Sequence, residues 1–67
     1  MKTHLSFQCN LMKVKLETVK DNLIFAFGET HTLNGRENIE ETLDIVEELI
    51  RSVNALEKSI QLLSQND

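Results

Sequence analysis

One cysteine, two histidines and a stripe of carboxylates are the residues of this chain whose types could do chemistry. A cysteine with a histidine beside it would be a nucleophile and its base, which requires hydrogen-bond contact between the two. Cys9 stands near His4, but from His4 to Leu11 apolar and polar residues alternate: Leu5, Phe7, Cys9 and Leu11 against His4, Ser6, Gln8 and Asn10. On a half-buried strand that alternation sends Cys9 and His4 to opposite faces. A free cysteine among apolar neighbours acts as a small hydrophobe. No catalytic residue is therefore assigned. Glu29 and His31 share a face two residues apart, but neither a C-x-x-C pair nor a zinc-type histidine spacing occurs, so no metal and no cofactor is expected. With Gly28 and Gly35 as the sole glycines, neither a P-loop nor a dinucleotide fingerprint can be drawn.

The carboxylates make a more coherent pattern. Glu37, Glu40, Glu41, Asp44, Glu47 and Glu48 recur so as to form one outward stripe on a helix. Such a stripe is either an acidic docking face for a partner or a solvated helix start favoured by the macrodipole. Net charge is −4 and divides unevenly: residues 1–36 carry +2 and residues 37–67 carry −6. A nucleic-acid binder would show a basic footprint. Lys13 and Lys15 read instead as edge-strand lysines that guard against aggregation. No aromatic residue stands beside them to stack a base.

The elements that must position these residues follow from periodicity. The alternation changes phase at the adjacent pair Leu11 and Met12 and resumes as Met12, Val14 and Leu16, which predicts a turn there, since a one-residue slip reverses every side chain. Lys20-Asp21-Asn22 reads as a hairpin connection, and Leu23 to about Thr32 as a third strand, with Gly28 marking a bulge. Asn34-Gly35 ends the sheet, with Asn34 as the N-cap of a helix and Glu37 completing a capping box. No glycine or proline follows before the Gln65-Asn66-Asp67 tail. The predicted fold is thus α+β in one small domain: a three-stranded antiparallel β-meander, strands about 3–11, 12–20 and 22–32, then one long C-terminal α-helix, about 36–64.

That helix carries a heptad repeat. Ile39, Val46, Val53 and Ile60 fall at a; Thr42, Leu49, Leu56 and Leu63 fall at d. β-branched residues at a with leucine at d favour two-stranded coiled coils. A helix of about 30 residues runs to roughly 45 Å, far beyond a compact domain of this size. Its second half would overhang the sheet, so Val46, Leu49, Val53, Leu56, Ile60 and Leu63 are the expected dimer interface. A marginal core in so short a chain points the same way, because small scaffolds need reinforcement and a lone cysteine cannot close an intrachain disulfide.

The run NLIFAFGETHTLNGRENIEETLDIVEEL resembles the strand–turn–helix unit near the C-terminus of cysteine desulfurases. The resemblance implies a strand-to-helix packing unit over about residues 22–49 and no activity: Ile24 stands where that family has its carboxylate-binding arginine.

These observations describe a cytoplasmic, non-enzymatic interaction module with no secretory leader or membrane span. It would be a homodimeric regulator or inhibitor, of a type small phage genomes often encode. Its expected partners are itself and an unidentified larger protein, engaged through the acidic helix face or the open sheet face, with neither membrane nor nucleic acid involved. The alternatives are a purely structural oligomerisation module and a small-ligand or metal-binding dimer.

Overall fold

The computed structural model describes the backbone of residues 2–65 and the side chains of residues 4–63. It is an α-helical hairpin: α1, Lys2–Glu29, and α2, Leu33–Gln65, joined by three residues and packed side by side. There is no strand among the described residues, so the α+β reading and its three-stranded meander are overturned. The segments read as strands over 3–11, 12–20 and 22–32 lie, up to Glu29, within α1. The strand half of the strand–turn–helix resemblance is lost with them.

The reason lies in a second rhythm carried by the same residues. Leu5, Cys9, Met12, Leu16, Val19, Leu23 and Ala26 alternate steps of four and three, the spacing of one helix face. The phase change at Leu11 and Met12 is what a helical repeat looks like when read two residues at a time. Lys20-Asp21-Asn22 is helix surface, with Asp21 and Asn22 exposed and Lys20 half-buried. Hydroxyls that favour strands or turns are accommodated by bonding back one turn: Thr18 Oγ1 donates to the Val14 carbonyl at 3.0 Å and Thr42 Oγ1 to that of Asn38 at 2.9 Å.

The turn is built from threonines. Thr30 donates its amide to the Phe27 carbonyl at 3.3 Å and its hydroxyl to the Ala26 carbonyl at 2.7 Å, which satisfies the end of α1. Thr32, rather than Asn34, caps α2: its hydroxyl accepts the Gly35 amide at 3.2 Å, and its carbonyl accepts the Arg36 amide at 3.0 Å. Asn34 and Gly35 form the first turn of α2, and Gly28 lies inside α1 rather than at a bulge. The Arg36 guanidinium sits 4.0 Å from the Phe27 ring centroid, a cation–π contact that ties the two helix ends together.

The seam between the helices is narrow. Cys9, Val53 and Ile60 form its buried cluster with Leu16 packed against it, and Val46 is buried nearer the turn. Half-buried Leu23, Phe27, Ile39, Leu43 and Ile50 continue it. Lys13 and Glu57 interrupt the apolar rows with a cross-helix ion pair, Nζ donating to Oε1 at 3.2 Å. The molecule is a rod, 53 by 14 by 12 Å between Cα extremes.

Candidate interaction surface

Both helices follow the heptad rhythm with two apolar rows, and the hairpin uses one row of each. In α1 the inner row is Cys9, Leu16 and Leu23; in α2 it is Ile39, Val46, Val53 and Ile60. Three residues further along each helix runs a second row, which stays outside. Leu5, Met12 and Val19 of α1 and Leu49 and Leu56 of α2 are each between 43% and 51% exposed. The offset from inner to outer row has the same sign in both helices. Because the helices are antiparallel, equal offsets rotate the two outer rows onto the same side of the hairpin. The result is one continuous apolar face spanning both helices, with Ala26 and Thr42 at its turn end.

No ionisable side chain belongs to these outer rows. The edge opposite them carries Asn10 and Glu17 from α1, and Glu40, Glu47 and Asn54 from α2. α1 has further apolar exposure on its outer side, where Phe7 is 63% and Phe25 72% exposed, with Leu11 and Val14 near them on the helix surface.

The residues assigned to a dimer interface separate into two groups. Val46, Val53 and Ile60 are buried against α1 of the same chain, whereas Leu49, Leu56 and Leu63 remain exposed. The chain's own first helix takes up half the stripe. The acidic residues Glu37, Glu40, Glu41, Asp44 and Glu48 are exposed and Glu47 half-buried, spread over the outer side of α2 and the edge away from the apolar face. Among the described residues there is no strand, so they form no sheet face of the kind expected to engage a partner. Lys13 is turned into the seam and Lys15 lies exposed on helix α1.

Cys9 is buried and His4 exposed, five residues apart on one helix, so the two point to different sides. Glu29 and His31 are both exposed at the turn. Among the described residues no group of three His, Cys, Asp or Glu side chains is placed to share a metal ion, and no cavity opens. No described helix is long and apolar enough to cross a membrane.

The outer row of α1 is the part of this surface that alternation concealed. Its signal was present as the steps from Leu5 to Met12 to Val19, each of seven residues. The chain matches no family model, no curated protein and no solved structure.

Proposed function

We propose that this protein is a non-enzymatic protein–protein interaction module, a small helical regulator that works by covering a face of its partner. The observation that carries the reading is the apolar face of Leu5, Met12, Val19, Leu49 and Leu56, five large side chains each left at least 43% exposed in register. Contiguous apolar patches of this kind mark interaction sites. The acidic outer side of α2 gives the module a second, charged surface, suited to a basic region of a larger protein.

Site-specific photocrosslinking in living cells tests this. A photoreactive residue placed at Met12 or Leu56 is expected to yield protein adducts, and one placed at Asn10, on the opposite edge and on α1 rather than on the acidic helix, is not. Equal yields from both edges would overturn the reading, since a chain without a docking face has no reason to distinguish them.

A further inference from the structure

We infer that the occupant of the apolar face is a second copy of the same chain, and that the working form is a four-helix bundle of two hairpins with both turns at the same end. This rests on the interaction reading above and names its partner. The first argument is area. A compact 7.7 kDa protein exposes about 4,300 Å², whereas this chain exposes 5294 Å². The excess, on the order of 1,000 Å², is close to the roughly 800 Å² per partner that a stable complex covers.

The second argument is register. Within the hairpin, Lys13 meets Glu57 and Cys9 packs with Ile60, which fixes the heights of the two helices relative to each other. When a second hairpin is laid face to face by rotation about an axis parallel to the helices, heights are kept and α1 lies on α2 of the other copy. Met12 then faces the second copy's Leu56, Val19 its Leu49, and Ala26 its Thr42. Large side chains meet large ones at the open end, and small ones meet at the turn, where the helices are closest in sequence.

The third argument is charge. The side chains of α1 sum to +1 and those of α2 to −4, so α1 on α2 sets a weakly positive helix against an acidic one. The other face-to-face arrangement, rotated about an axis across the helices, lays α1 on α1. It would bring Lys15, beside the apolar row and near the middle of α1, close to its own symmetry mate. Like charges placed that way oppose the assembly.

The decisive experiment is the solution mass of the wild-type protein by sedimentation equilibrium, joined to disulfide trapping. The expected mass is twice the 7.7 kDa of one chain. In a Cys9→Val background, Met12→Cys and Leu56→Cys are made as separate proteins, mixed, and oxidised. A covalent heterodimer on mixing, with little product from either alone, is expected. Met12→Glu should weaken self-association by more than tenfold, while Asn54→Ala on the opposite edge should leave it unchanged. A wild-type monomer overturns the proposal, as does a trimer or larger species. A dimer in which the mixed cysteines fail to join overturns the arrangement. The interaction reading is separable from all of these: a wild-type monomer that still gives crosslinks to another protein from Met12 and Leu56 keeps that reading and removes the second copy.

Discussion

At the scale of single residues, the Lys13–Glu57 pair is the feature with the most information. Two charged side chains, 30% and 24% exposed, occupy places that an unbroken seam would fill with apolar residues. Removing one partner leaves the other charge partly desolvated, whereas replacing both with apolar residues removes the desolvation penalty altogether. Either Lys13→Ala or Glu57→Ala is expected to cost about 1–2 kcal/mol, between the values of exposed and fully buried pairs. The double change to leucine should restore or raise stability in urea denaturation. If the double leucine variant were less stable than either alanine variant, the pair would be a net source of stability rather than a device that fixes register. Cys9 makes a different prediction. It is buried with Val53 and Ile60, so a thiol reagent should modify it only as fast as the hairpin opens, and the rate should rise to that of a free thiol in denaturant. Fast labelling under native conditions would place Cys9 at the surface.

Between elements, the two glycines differ in sign. A Cβ added at Gly28 would meet nothing within 4 Å, whereas one at Gly35 would come within 2.7 Å of both Thr30 Cγ2 and Thr32 Oγ1. Gly28→Ala should stabilise by about 0.5–1 kcal/mol, the usual helical gain. Gly35→Ala should lose more than that gain, because it displaces the threonine that caps α2; thermal melts of the two variants should shift in opposite directions. Two upward shifts would mean that the turn yields freely. The sequence showed α2 better than α1 for a physical reason that these elements make plain. From Ile39 onward the apolar positions recur at three and four without a competing pattern, so only a helix fits them. Across residues 4–11, Phe7 and Leu11 add apolar side chains on α1's outer side, and together with Leu5 and Cys9 they mimic a strand's alternation. Those extra residues made the helix unreadable at short range while the steps from Leu5 to Val19 spelled it out at long range. The N-cap was displaced for a similar reason: Asn34-Gly35 is a strong turn signal, yet Thr32 reaches the Gly35 amide first. The heptad stripe of α2 was legible, but which half of it the chain covers depended on a first helix that alternation had hidden.

For the molecule as a whole, the question is whether a single hairpin holds its own shape. Among the described residues only Cys9, Val46, Val53 and Ile60 are buried, and each fully buried side chain contributes about 1.5–3 kcal/mol. Ordering the backbone opposes folding by roughly 1–2 kcal/mol per residue. A rod with a Cα radius of gyration of 15.6 Å, against about 11 Å for a compact chain of this length, has put few of its apolar side chains out of water. Folding that is completed by pairing must then depend on concentration, because two unfolded chains form one folded species and mass action enters the stability. A tenfold rise in protein concentration adds about 1.4 kcal/mol to a dimer, which for two such chains corresponds to a melting temperature about 5 °C higher. Circular dichroism melts over a roughly hundredfold range of concentration should therefore move upward by about 10 °C. A melting temperature that stayed fixed would mean that the narrow seam and the Arg36–Phe27 closure suffice to fold one chain, and that the apolar face is held open by a stable monomer for a different partner.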